Sequence, residues 1–318
     1  MSPRPWSPTI EQMTGSWALQ VAGLWKSFDG TPAVAGIDLA VPAGTFYGLL
    51  GPNGAGKSTT LAMITGLLRP DAGSVIVDGH DVWADPAAIK ARIGVVPETL
   101  LLFERLSGRE LLDYVGRLRN LSAADTAERS EQLLGVLGLA DEAHKLVIDF
   151  SQGMRKKISL AAALLHAPRV LFLDEPFESV DPVSVRHIRT LLDQIVDGGA
   201  TIIFSSHVMA TVESLCNQVT ILDHGHVVAS GTMDAVTSGG SLEDAFVRAV
   251  GAEGLDAAAL SWLRSPASGA PGVASIATPP PPTPLAAPTA PPEIAAEPEP
   301  AADHTSDVAA EPLDADDD

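Results

Sequence analysis

A lone cysteine, Cys216, excludes an internal disulfide and any metal cage built from several thiolates. No apolar run is long enough to cross a bilayer, although 46% of the 318 residues are hydrophobic; that content is expected to fill a substantial core. Residues 1–16 lack the basic start and apolar centre of a secretory leader, so the chain is expected to be soluble and to stay in the cytosol. Basic residues are scarce as well. Against 40 Asp and Glu stand 20 Lys and Arg, a net charge of −20, which argues against broad nucleic-acid binding. The imbalance is uneven, because ten of those acids, Glu293 to Asp318, follow Arg264, the last basic residue.

What the chain does have is one stretch that organises the rest, Gly51-Pro52-Asn53-Gly54-Ala55-Gly56-Lys57-Ser58-Thr59. It fits G-x-x-x-x-G-K-[ST], after a strand-like Thr45 to Leu50 and before a helix-like Leu61 to Leu68. Backbone N–H groups converge on a phosphate only where the loop takes dihedrals that most residues avoid, which gives Gly51, Gly54 and Gly56 a steric reason. Lys57 would supply a point charge for β- and γ-phosphates, Ser58 a hydroxyl for Mg²⁺, and the following helix its N-terminal dipole. The loop reads as a nucleotide cradle.

Around it the pattern alternates. Trp17 to Lys26 and Ala33 to Val41 are β-rich runs separated by Asp29-Gly30, with Phe28 between them as either a core aromatic or a platform for a base. Short strands are expected at Ser74 to Gly79 and Ile93 to Glu98. Ser107 with Glu110 and Ser122 with Asp125 read as capping boxes, so about Ser107 to Lys145 should be an all-helical insertion. After Phe150-Ser151-Gln152-Gly153-Met154 a helix is expected over Arg155 to Leu165. Val170 to Glu175 has the look of a buried parallel strand that presents carboxylates at its C-terminal edge. Asp181-Pro182 supplies an N-cap and first position for another helix. Thr201 to Phe204 is a further buried strand, with Ser205-Ser206-His207 at its tip, and a helix to about Leu215, strands at Gln218 to Leu222 and Val227 to Ala229, and a capped helix over Ser241 to Val250 complete the pattern.

In an open parallel sheet, ligands bind at the carboxyl ends of the strands, and Gly51 to Ser58, Glu98, Asp174, Glu175 and His207 all fall there. Asp174 can hold Mg²⁺ through water, Glu175 can polarise an attacking water, and His207 can bond a γ-phosphate or help place that water.

With Phe150 to Met154 added, the run from Trp17 to about Val250 resembles one nucleotide-binding domain of the ATP-binding cassette family, whose signature is usually L-S-G-G-Q. The resemblance implies an α/β fold: a P-loop NTPase core, an antiparallel β subdomain and an inserted helical subdomain. It implies Phe28 on adenine, Gly51 to Thr59 as Walker A loop, and Glu98 at the Q-loop position beside Mg²⁺. It also implies Asp174 as Walker B aspartate, Glu175 as catalytic base, Ser179-Val180-Asp181 as D-loop and His207 as switch histidine. ATP and Mg²⁺ are the implied cofactors. A homodimer or paired cassette is implied too, with Ser151 and Gly153 of one subunit closing over the γ-phosphate held by the other. This chain departs from the pattern at Glu98, where glutamine is usual, at Gln152 and Met154 in the signature, and at Val180.

The expected organisation is a loose lead-in over 1–16, the cassette over 17–250, a linker over 251–264 and a disordered Pro/Ala-rich acidic tail over 265–318. The leading function is the ATPase subunit of an exporter, peripheral on the inner face of the membrane and driving a separate integral membrane permease; the alternative is a soluble cassette ATPase acting on DNA, ribosomes or cofactor assembly. Leu100 to Phe103 reads equally as a permease dock or as core. Arg155-Lys156-Lys157 fits interface residues better than a nucleic-acid patch, His224-x-His226 frames a turn rather than a metal, and Cys216 is a packed residue.

Overall fold

The computed structural model describes residues 16–251. The expected lead-in before Ser16, the linker after Gly251 and the tail lie outside the described residues. No helix among the described residues is long and apolar enough to cross a membrane.

Strands β1 (Trp17–Phe28), β2 (Thr31–Pro42), β4 (Ala72–Val77) and β5 (His80–Asp81) form an antiparallel sheet in the order β2-β1-β4-β5. β1 and β2 are joined by Asp29 and Gly30, whose φ of 49° and 81° make the left-handed pair that a two-residue hairpin needs. The second sheet runs β10-β9-β3-β8-β7-β6, from β3 (Phe46–Leu50), β6 (Ile93–Val96), β7 (Val170–Asp174), β8 (Thr201–Ser206), β9 (Gln218–Asp223) and β10 (His226–Thr232). Every pairing in it is parallel except β9 with β10.

The apolar runs read as buried strands are buried on both faces, and the period of two explains how. Phe46, Leu50, Leu171, Leu173, Ile202 and Phe204 point into one core, and Tyr47, Leu49, Val170, Phe172 and Ile203 into the other. The second core is shared with the antiparallel sheet through Leu19, Val34, Val75 and Val77. The first runs into the helical insertion, where α3 (Gly108–Leu118) and α4 (Ala123–Val136) contribute Leu111, Leu112 and Leu134. Ser107 caps α3 in a reciprocal box with Glu110, and the insertion closes where Ser107 bridges Leu146. At the second expected box only half forms, with the Ser122 hydroxyl accepting from Asp125 N–H at 3.0 Å.

Helix boundaries differ from expectation at several places. α1 (Lys57–Ile64) stops short of Leu68, because Thr65 bonds back to the Leu61 carbonyl and Gly66 turns to φ 75°. α2 (Pro86–Arg92) was not anticipated, although Asp85-Pro86 carries the same N-cap chemistry that announced α6 (Pro182–Asp197). α5 (Gln152–Leu164) begins at Gln152 rather than Arg155, because Ser151 is its cap. α7 (Met209–Leu215) and α9 (Leu242–Val250) match expectation, whereas α8 (Met233–Thr237) is an extra short helix behind β10.

Candidate active site

The turn between β3 and α1 is wedged among its neighbours. A Cβ on Gly51 would stand 2.4 Å from the Leu222 carbonyl oxygen at the end of β9, and one on Gly56 would stand 2.4 Å from that of Ala33 on β2. Gly54 and Gly56 also hold φ of 82° and 97°, where a side chain is strained. The β9–β10 turn completes the wedge: Gly225 N–H donates to the Ala55 carbonyl at 3.1 Å, and Ala35 N–H donates to the Gly225 carbonyl at 2.8 Å. Among the described residues, the N–H groups of Gly54, Gly56, Lys57, Ser58 and Thr59 donate to no backbone acceptor, and α1 has no side-chain cap. That is an anion site by construction.

Lys57 is buried, its ammonium donating to the carbonyls of Gly51 at 2.8 Å and Pro52 at 3.2 Å. With Asn53, Ser58, Thr59, Glu98 and Glu175 it lines a cavity of about 350 Å³, and Phe28 stands at the edge, 47% exposed. Phe28 is therefore not the core aromatic, and the Lys26 ammonium lies 5.8 Å from its ring centre.

The tips of β6, β7 and β8 supply the rest. Burial pushes the Asp174 carboxyl above the usual carboxylate range; hydroxyl bonds from Ser205 and Ser58 pull it back, the charge of Glu98 adds to the rise, and Lys57 offsets part of it. Ser58 donates to Glu98 Oε2 at 3.1 Å. Ser58, Glu98 and Asp174 thus gather hard oxygen donors with an excess of negative charge, a set that fits Mg²⁺. Glu175 is buried at φ 47°. Its Oε1 lies 2.9 Å from His207 Nδ1 and 3.9 Å from Lys57 Nζ.

Ser205, given no role from sequence, ties this edge together: its hydroxyl bonds Asp174 Oδ1 and accepts the Glu175 N–H at 3.1 Å. The sign that could have found it was there, since it precedes His207 by two residues on a strand whose neighbour ends in the two acids.

Ser151, Gln152, Gly153 and Met154 are drawn to a different cavity, of about 300 Å³, shared with Lys157, Ser179 and Asp181. None of its lining residues lines the first. The Ser151 hydroxyl accepts the Met154 N–H at 3.2 Å, and a Cβ on Gly153 would come 3.0 Å from the Ser179 carbonyl oxygen. Asp181 caps α6, and its bonds from the Ser184 hydroxyl and N–H hold its carboxyl below the usual range.

The basic triplet is spent inside the chain: Arg155 pairs with Glu104, the buried Lys156 donates to the Glu175 carbonyl at 2.9 Å, and Lys157 donates to the Ser184 hydroxyl at 3.2 Å. Leu100 and Leu102 pack on the core, while Leu101 and Phe103 are 90% and 55% exposed, so that loop divides between its two readings. His224 Nδ1 lies 2.8 Å from Asp223 Oδ1, and no described cluster of residues could hold a metal through three or more His, Cys, Asp or Glu. Cys216 is buried, and burial pushes its thiol up into an unreactive range.

A family model described as ABC transporter matches residues 34–178. The chain is 41% identical over 221 residues to the daunorubicin/doxorubicin resistance ATP-binding protein DrrA of Streptomyces peucetius, covering 70% of this chain and 67% of that one. It is 38% identical over 214 residues to the linearmycin resistance ATP-binding protein LnrL of Bacillus subtilis, covering 67% and 69%. A solved ATP-binding subunit of an ABC transporter superimposes with a TM-score of 0.70 at 30% identity, covering 73% of this chain and 99% of that one.

Proposed function

Because the chain belongs to the ABC transporter family, as an ATP-hydrolysing subunit, we propose that it closes as a dimer around ATP and drives export through a separately encoded membrane permease from the inner face of the membrane. The triphosphate lies in the cavity between Phe28 and Glu175, with the adenine on Phe28 and the phosphates against the free N–H groups of Gly54 and of Gly56 to Thr59. Lys57 turns from the carbonyls of Gly51 and Pro52 to the phosphates. Ser58, Glu98 and Asp174 would hold Mg²⁺, which when bound would neutralise phosphate charge. Glu175 accepts the proton of the attacking water, and His207 fixes the carboxylate and stands beside the γ-phosphate.

The dimer is supported by the division of the machinery into two cavities with no lining residue in common. One chain brings the loop and the base; its partner, either a second copy or a paired cassette, brings Ser151 and Gly153, with Ser179 and Asp181 at the seam. The names of the relatives, which speak of resistance to particular compounds, favour export over a soluble role on nucleic acid or ribosomes. Leu101 and Phe103 form the exposed apolar contact available to a permease.

The single observation that carries the hydrolytic reading is Glu175, whose carboxylate stands between His207 and Lys57 at the mouth of the cradle. Glu175→Gln should bind ATP and hold a stable dimer while phosphate release falls by about 100-fold or more. Phosphate release at the normal rate by that variant would remove Glu175 from the role of base.

A further inference from the structure

Lys156 breaks the pattern of the triplet it belongs to. A lysine between an arginine and another lysine on a helix reads as solvated charge, yet Lys156 is 7% exposed. Burying an ammonium is costly unless opposite charge compensates it. No carboxylate of the described residues lies within ion-pair distance of Lys156, and the one acceptor its ammonium reaches is the backbone carbonyl of Glu175, at 2.9 Å. Packing alone gives no reason for a cation there, since methionine or leucine would fill the same space at lower cost.

The carbonyl it holds belongs to a residue in an unfavourable backbone conformation. Glu175 is not a glycine, and its φ of 47° is a strained setting that persists only where neighbours enforce it. Both peptide groups around it are gripped: the N–H donates to Ser205 Oγ at 3.1 Å, and the C=O accepts from Lys156. That backbone setting aims the carboxylate at His207 and Lys57. The other end of the grip is α5, which bears Ser151 as its cap. The same helix meets the segment after Glu175 twice more, where Gly153 abuts the Ser179 carbonyl and Lys157 reaches Ser184.

We propose that Lys156 is a positioning residue for hydrolysis: its buried ammonium fixes the backbone of Glu175, and so makes the aim of that carboxylate depend on where the Ser151 helix sits. The inference rests on Glu175 as the base. It adds a route by which the corner that closes on one nucleotide sets the base of the other site in the dimer, since α5 belongs to both.

The test compares the intact chain with Lys156→Met, which keeps the volume and removes the donor, and Lys156→Arg, which restores one. Phosphate release against ATP concentration gives kcat and KM, and equilibrium binding of a non-hydrolysable ATP analogue reports the cradle separately. Lys156→Met should lower kcat by about 10- to 100-fold while analogue affinity stays within about twofold. Lys156→Arg should recover most of the rate. A Lys156→Met kcat within about twofold of the unmodified chain overturns the proposal, and so does loss of analogue binding in step with kcat that arginine fails to rescue, because that is a folding defect. If the unmodified chain itself releases phosphate no faster than Glu175→Gln, the underlying assignment of the base fails, a result distinct from either.

Discussion

Two helices in this molecule begin beside a cavity, and they begin in opposite ways. α1 starts at a glycine with φ of 97° and no cap, leaving its first N–H groups free, whereas α5 starts at Ser151, whose hydroxyl already accepts from Met154. An open helix start binds an anion directly and is stable only because the surrounding chain holds it in shape. A serine cap is self-sufficient, but its own O–H proton is still available to donate outward. Under the proposed function the first corner holds nucleotide in a single chain, and the second adds one more donor when a partner is brought to it. Their carboxylates differ in the same sense: Asp174 is pushed up by burial, while Asp181 is held down by Ser184.

Substitution at the first corner should do the most damage. Lys57→Ala removes the buried charge and should weaken ATP binding by roughly 100-fold or more, as read by equilibrium binding to the monomer. Equal affinity in that variant would mean the open corner does not need its lysine. Ser151→Asp should separate the two corners, because aspartate caps a helix as well as serine does but opposes a phosphate. ATP affinity of the monomer should stay within about twofold, while dimerisation on ATP in a Glu175→Gln background falls by roughly tenfold or more. An undiminished dimer would take the second corner out of the nucleotide site.

The smallest effect concerns stability. An acid whose folded pKa is raised above its ordinary 3.8 keeps a proton that the unfolded chain has released, so stability falls as pH rises through that interval and the full cost remains at neutral pH. Asp174→Asn should accordingly raise the melting temperature of the nucleotide-free protein by roughly a few degrees at neutral pH, with the gain shrinking below the unfolded value. Calorimetry at the two pH values decides it, and a lower melting temperature at neutral pH would mean that the carboxylate is compensated in the fold.

Most of the core was legible because the signals were local. Val170 to Asp174 and Thr201 to Phe204 are apolar runs too short for helices and bounded by polar tips, and the glycine pattern of the cradle states its own dihedrals. Ser107, Asp181 and Ser241 announced their helices through their caps. What escaped depends on contacts distant in sequence. Nothing near Lys156 says that it will be covered, because its acceptor is 19 residues away on another element. Ser205 gained its role only when β7 and β8 lay side by side. The early start of α5 was hidden for a different reason: Gly153 is a poor helix signal, and only the capping geometry of Ser151 reveals that the helix has already begun.

One consequence follows for anyone who wishes to label this protein. The reversal at His224–Gly225 looks like a spare hairpin tip on an edge strand, the sort of place where an epitope or a fluorophore is usually spliced in. Gly225 instead bonds both Ala55 and Ala35, so an insertion there would pry apart the walls of the cradle, and a fluorescent reporter is better attached elsewhere.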